Sequence, residues 1–410
     1  MRYEALDSWR GICALMVMLH HFSVATHFYH IDLIRNAWLF VDFFFVLSGF
    51  VIALNYKQRI LDGFSVPKFM GLRFGRIWPL HAFVLALFVV AELFLAFMPG
   101  LENIVGRDAF CRDWTQPDCD GQHTLNTLAP NFFLLHALPG VSDNISWNGP
   151  SWSISTEFWT YLIFAAGVWI VSRLPYRNVL FAMAIVSLIV LCPLILYFFT
   201  DNRTLFQLTT AGLVRCVYGF AFGVAAFLLL ERYRDRLMTF MSRRDVANWV
   251  ELGLVVLSVW FVSSMANGST SLFAPLIFFF VVLGFASQKG FISRFLMRPS
   301  LLHLGLISYS IYMLHYFVQM LFYWLQALVE HFTGWSMVAV LDDADPASNS
   351  LDGLNLWAGD FWLLLTSALI IYFSHKTYQL VEKPGRDWVR HQLKRFDPPS
   401  LRKKATISNR

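Results

Sequence analysis

Charge is what this 410-residue chain has least of: 14% Asp, Glu, Lys and Arg against 57% hydrophobic residues. A soluble domain carries about 25% charged residues, so an ordinary water-exposed surface is excluded. Cysteine is scarce as well, five in all, which excludes a disulfide scaffold. Cys13, Cys192 and Cys216 fall in apolar runs and read as packing residues, whereas Cys111 and Cys119 share one polar loop and could pair in an oxidising compartment. Familiar catalytic patterns are missing. No His-x-x-x-His or Cys-x-x-Cys pair suggests a metal, no Gly-rich loop a nucleotide, and no Gly-x-Ser-x-Gly elbow a serine nucleophile. The first apolar segment has no small-residue cleavage site, so no signal peptide is expected. No metal and no nucleic-acid partner is expected.

Long apolar runs are abundant. They predict an all-α polytopic membrane protein of about ten spanning helices, near 6–28, 37–56, 77–97, 152–172, 178–199, 208–230, 248–266, 271–287, 303–329 and 356–378. Both termini are expected in the cytoplasm. With that orientation all but five of the 32 Lys and Arg lie at cytoplasmic ends or loops. The five are Arg35, Arg107, Arg112 and Arg203 outside and Arg215 within a helix. The short run 125–140, broken by Pro130 and Pro139, is expected to be re-entrant or interfacial at the outer surface, because a true crossing would move every later basic loop outside. The organisation expected is one membrane domain, 1–384, and a basic cytoplasmic tail, 385–410, lying along anionic headgroups. Asn267-Gly-Ser is a glycosylation sequon with no meaning in a bacterial inner membrane.

Ionisable residues at membrane depth are costly and mark candidate functional sites. The segment 6–28 carries Arg10 and, eleven positions on, His21. On one continuous helix the two would share a face, roughly 16 Å apart along the axis, while His20 would point elsewhere. Arg73 and Arg76 lie one turn apart where the third helix starts. Their guanidinium forks suit phosphate oxygens, although basic residues at an inner boundary are also ordinary positive-inside decoration. In the outer half His21, Asp42 and Glu157 fall at similar depths, so either carboxylate could orient the imidazole. Asp42 could equally be a helix N-terminal charge, and Glu157 an interfacial charge in an aromatic belt. His315, near the middle of the ninth helix, is a further catalytic candidate or a helix–helix hydrogen bond. Trp147, Trp152 and Trp159 could stack on sugar faces or form the belt. Ser48, before Gly49, reads as close helix packing rather than a nucleophile.

Six stretches in order, LDSWRGICALMVMLHHF, FVDFFFVLSGFVIAL, RFGRIWPL, NGPSWSISTEFWTY, ISYSIYMLHY and VEKP, run from Leu6 to Pro384. Together they resemble the acyltransferase-3 family of integral-membrane carbohydrate O-acyltransferases. The resemblance implies a ten-helix core that moves an acyl group, usually acetyl, from cytosolic acyl-CoA to a carbohydrate hydroxyl at the outer face. It places the family's Arg-x10-His motif on Arg10 and His21 and its Arg-x-x-Arg motif on Arg73 and Arg76. Some members carry a C-terminal hydrolase-like domain; here the basic tail stands in its place, so the chemistry is expected in the membrane part.

The resulting expectation is an inner-membrane acyltransferase. Arg10, Arg73 and Arg76 bind acyl-CoA, and a carbohydrate or glycolipid is the acceptor. His21 acts as general base or forms an acyl-imidazole, assisted by Glu157 or Asp42. One continuous tunnel is expected to join Arg10 to His21. The rivals are a transporter or flippase with a proton relay and a polyprenol-linked glycosyltransferase.

Overall fold

A computed structural model describes residues 2–98, 100–105, 123–141, 146–200, 203–206, 211–243, 245–341 and 354–394. Away from water, backbone N–H and C=O groups must bond within their own segment, which makes the helix the default for long apolar runs. The helices in chain order are α1 (Glu4–His20), the one-turn α2 (Asp32–Arg35), α3 (Phe40–Leu61), α4 (Val66–Phe97), the one-turn α5 (Leu101–Ile104), α6 (Leu125–Phe132), α7 (Trp152–Val171) and α8 (Arg177–Phe198). They continue with α9 (Gly212–Met241), α10 (Val246–Met265), α11 (Ala274–Phe285), α12 (Phe291–Leu296), α13 (Pro299–Leu306), α14 (Ser308–Thr333), α15 (Leu356–Thr377) and α16 (Lys383–Lys394). No strand occurs among the described residues, only an isolated bridge between Val24 and Val340. The protein is an all-α, multi-pass membrane protein: among the described residues eight helical stretches are long and apolar enough to cross a bilayer, α11 counted with the 3-10 turn before it (Gly268–Phe285), and nine when α13 and α14 count as one bent span.

The first span departs from expectation. Instead of running over 6–28, α1 stops at His20, and the chain continues to α2 without a helix. At 17 residues it sits at the lower limit for a crossing. The ninth span is broken by 65° between α13 and α14. The break is held from α1: Gly305 lies so close to Asp7 that an added Cβ would meet the Asp7 carbonyl oxygen at 2.1 Å. Arg10 Nη2 donates to the Gly305 carbonyl (2.9 Å) and Nε to Ser308 Oγ (2.9 Å), capturing a carbonyl that the interrupted helix exposes.

At the centre, α3 and α9 run parallel: Asp42 faces Arg215, and farther along Val46 and Phe50 face Gly223. Gly49 and Gly223 bring the backbones together; a Cβ on Gly49 would lie 2.1 Å from the Phe220 carbonyl oxygen, and one on Gly223 1.9 Å from that of Val46. This is the small-residue packing that membrane helices use in place of a hydrophobic drive.

α4 starts at Val66, a full three turns before the expected 77, behind an N-cap in which Ser65 accepts from the Lys68 N–H (3.4 Å) and Pro67 occupies the first turn. The segment 123–141, expected to be re-entrant or interfacial, packs along α4. His123 pairs with Glu92 (2.7 Å), and the Phe132 carbonyl accepts from Trp78 Nε1 (2.9 Å). Between those contacts it follows α4 for fourteen residues, about 21 Å. Cys111 and Cys119 lie outside the described residues, as does the tail beyond 394. Residues 385–394 form most of α16, which lies antiparallel along the start of α4, Val389 against Gly75 and Leu393 against Gly71.

Candidate active site

Five helices, α1, α3, α4, α7 and α14, enclose a cavity of about 200 Å³, here the arginine cavity. Arg10, Arg73 and Arg76 all line it, with Glu157, Tyr161 and Ser48 opposite. Sequence spacing alone could not show that guanidiniums from α1 and α4 meet. Their charges are not equivalent. Arg76 is ion-paired with the buried Glu382, whose second oxygen accepts from Ser310 Oγ (2.8 Å). Arg10 is tied to the α13–α14 break and lies 3.6 Å from Asp7. Arg73 donates to Tyr56 Oη (3.1 Å) and rests over the Tyr56 ring at 5.0 Å. It has no carboxylate within ion-pairing distance among the described residues, and its Nε is buried without a hydrogen bond. Arg73 is therefore the least compensated cation of the three. Glu157 Oε1 accepts from Tyr161 Oη (2.6 Å), and Tyr161 meets Ser48 Oγ at 3.0 Å. Ser48 thus belongs to the cavity wall, and the close packing expected of it falls to Gly49.

His21 lines a different space. A larger cavity of about 910 Å³, the histidine cavity, is lined by His20 and His21 at the end of α1, by the following loop and α2, and by parts of 204–206, 266–268 and α15. Because the helix ends at His20, both imidazoles reach this cavity, their rings 5.0 Å apart. The expected tunnel is not continuous. Between the cavities stands a partition in which Tyr312, a lining residue of the arginine cavity, touches His315 (5.9 Å between ring centroids), and His315 touches His21 (5.1 Å). Phe44 packs on Tyr312 (5.8 Å) and joins an apolar cluster with Met18 and Ile311.

The two imidazoles share one device. Each Nδ1–H donates to the carbonyl four residues back, His21 to Val17 (2.9 Å) and His315 to Ile311 (3.2 Å). A carbonyl accepts only, so Nδ1 must carry the proton and Nε2 is the basic nitrogen of the neutral ring. His315 is fully buried, and its Nε2 has no partner among the described residues.

Asp42 and Glu157 are not arranged to orient His21. Both oxygens of Asp42 accept from Arg215 (3.1 Å to Nε, 2.7 Å to Nη2) in a buried bidentate pair, with Trp38 and Trp152 over the guanidinium at 5.1 and 5.2 Å. Two lone opposite charges at matching depth in apolar helices were the available signal for this pair. Glu157 faces the arginine cavity. The three tryptophans are committed elsewhere: Trp147 Nε1 donates to Thr127 Oγ1 (3.1 Å), Trp159 Nε1 to the Leu134 carbonyl (2.8 Å), and Trp152 covers Arg215. Sequence reasoning also missed a stacked pair, His81 and His136 (5.8 Å between centroids, 3° between planes), where α4 meets the segment 123–141. His81 Nε2–H donates to the Asn131 carbonyl (2.8 Å), His136 Nε2 meets Ser151 Oγ (3.1 Å), and both Nδ1 atoms are buried without partners among the described residues. Nothing local in the sequence brings position 81 to 136.

Residues 3–374 match the acyltransferase domain family, and the chain belongs to it. By this membership the protein is a membrane acyltransferase. Among curated proteins it is similar to acyltransferase MdmB of Streptomyces mycarofaciens, 26% identical over 77% of this chain and 79% of that protein. It is also similar to O-acetyltransferase OatA of Staphylococcus aureus, 23% identical over 76% of this chain and 49% of OatA, so the match spans about half of that longer relative. A 95-residue stretch is 39% identical to protein 2 in the picA locus of Rhizobium radiobacter, covering 23% of this chain and 47% of that protein. No solved structure matches the chain.

Proposed function

We propose that this protein is an inner-membrane acyltransferase that moves an acetyl group from cytosolic acetyl-CoA to a carbohydrate hydroxyl on the outer side. The observation that carries this reading is the convergence of Arg10, Arg73 and Arg76 on one cavity, with the His21–His315 pair across a partition from it. An acyl-CoA is a polyanion at one end and a thioester at the end of a narrow arm. Sites for whole drug-sized ligands run to about 300–1,000 Å³. The arginine cavity, at about 200 Å³, suits the arm and its thioester, leaving the nucleotide toward the basic end of the bundle. Arg73 is the residue that would take a phosphate oxygen where the arm meets the nucleotide; Arg10 lines the same cavity, and Arg76 already shares its charge with Glu382.

In this reading the acceptor occupies the histidine cavity. His21 Nε2 takes the proton of the acceptor hydroxyl as its oxygen attacks the thioester carbonyl carbon. The carbon–sulfur bond breaks, an ester forms, and the CoA thiolate leaves to be protonated. General-base help of this kind contributes about 10²–10⁴-fold. Attack by His21 itself, through an acyl-imidazole, uses the same nitrogen. Either route requires the partition of Phe44, Tyr312 and His315 to admit the thioester, so movement there is part of the proposal. The likeness to OatA, an O-acetyltransferase by name, supports acetyl as the group and a hydroxyl as the acceptor.

The test is purified protein in lipid nanodiscs with radiolabelled acetyl-CoA and a sugar acceptor. Label in an ester and release of CoA thiol are expected. No CoA consumption, with solute accumulation in proteoliposomes, sinks the reading in favour of the transporter.

A further inference from the structure

We propose that the acceptor carries an anionic group, a carboxylate or a phosphate ester, and that Arg35 reads it in the histidine cavity. This rests on that cavity being the acceptor site. Arg35 ends the one-turn helix α2 and lines the cavity beside His20 and His21. Among the described residues it is the one full cation lining the cavity, and no Asp or Glu lines it. Its guanidinium makes no hydrogen bond or ion pair among the described residues. Asp32 lies three residues earlier on the same turn, the spacing at which a helical ion pair forms, yet the two do not pair. Asp32 is exposed, whereas Arg35 is half-buried on the cavity wall.

Five aromatic side chains line the same cavity as Arg35: Phe22, Phe28, Tyr29, Trp38 and Phe206. Such a wall replaces water with low-polarity surface, so a cation there interacts more strongly with an opposite charge than it would in solvent. A half-buried guanidinium without a counter-ion is incomplete, and its planar fork matches carboxylate or phosphate oxygens in pairs. The aromatic faces supply flat apolar contact for a sugar ring. At about 910 Å³ the cavity has room for more than one ring. The ligand class that completes it is an acidic glycoside or glycosyl phosphate. A lipid headgroup offers the same phosphate chemistry, and the test must separate the two.

The experiment uses the full chain, purified in detergent without anionic lipid, and isothermal titration with three probes: phenyl glucoside, phenyl glucuronide and phenyl glucoside 6-phosphate. Wild type should bind at least one of the two charged probes about ten-fold or more tighter than the neutral one. Arg35→Gln should erase that preference and leave phenyl glucoside affinity unchanged, while Arg35→Lys should keep part of it. Equal affinity for all three probes in wild type, or an undiminished preference in Arg35→Gln, overturns the proposal. It is also overturned if the probes bind alike while anionic phospholipid vesicles bind in an Arg35-dependent way. Transfer of label from acetyl-CoA, measured in parallel, tests the enzyme reading separately. Absent transfer with the preference intact removes the reaction and not the anion site; transfer with no preference removes only the anion site.

Discussion

Single residues carry the chemistry, and their environments decide what each can do. His21 has its Nδ1–H fixed on Val17 and its basic nitrogen on the other side of the ring. His21→Ala is expected to lower the turnover number by about 10²–10⁴-fold with donor affinity retained, measured by acetyl-CoA titration of transfer; undiminished transfer removes His21 from the mechanism. The two arginines of RFGRIWPL should behave differently although they are neighbours on one turn. Arg73 has no carboxylate partner among the described residues, so Arg73→Ala should raise the KM for acetyl-CoA without lowering the melting temperature. Arg76 balances the buried Glu382. Arg76→Ala leaves that carboxylate uncompensated, and breaking a buried pair costs about 3–5 kcal/mol, so the thermal midpoint should fall clearly. Equal melting temperatures for the two variants would contradict this division.

At the scale of elements, the parallel pair α3 and α9 is the frame against which α7 and α11 pack. Glycines bring its backbones together, and Asp42–Arg215 locks its register at one end. Removing one charge strands the other, whereas replacing both by apolar groups is often neutral or stabilising. Asp42→Leu is therefore expected to destabilise by about 3–5 kcal/mol, and Asp42→Leu with Arg215→Met should recover most of the loss in a thermal-unfolding assay. If the double variant is as unstable as the single one, the pair does more than balance charge. Most of these elements were legible in the sequence, because runs of about twenty apolar residues have only one economical fold in a bilayer. The early stop of α1 was not. Residues 22–28 hold no proline or glycine to break a helix, but Ser23, Ala25 and Leu341 spend their backbone bonds across the loop, Ala25 N–H to the Ala339 carbonyl and Leu341 N–H to the Ser23 carbonyl.

For the molecule as a whole, the two cavities lie on opposite sides of a partition at His315, which suits a reaction whose donor and acceptor approach from opposite faces. That arrangement depends on orientation, which charge asymmetry predicts. A membrane-impermeant maleimide applied to intact cells should label a cysteine placed at Asn267, beside the histidine cavity, and should miss one placed at Asp62, on the α3–α4 turn, until the membrane is opened. The reverse pattern would invert the proposed donor and acceptor sides.

Composition and charge order by themselves determined that the chain is a multi-pass helical membrane protein, and six short stretches in order pointed to its family. The reason is that solvation acts locally: each apolar run must hide its own backbone, and each basic loop responds to the membrane it borders. Tertiary structure alone decided which ionisable groups meet. Arg73 and Arg10 line one cavity from helices distant in sequence. Asp42 is taken by Arg215 and Arg76 by Glu382, and His21 is parted from Arg10 by a wall that no periodicity reveals. A buried charge is defined by its partner, and partners are chosen by packing rather than by spacing along the chain.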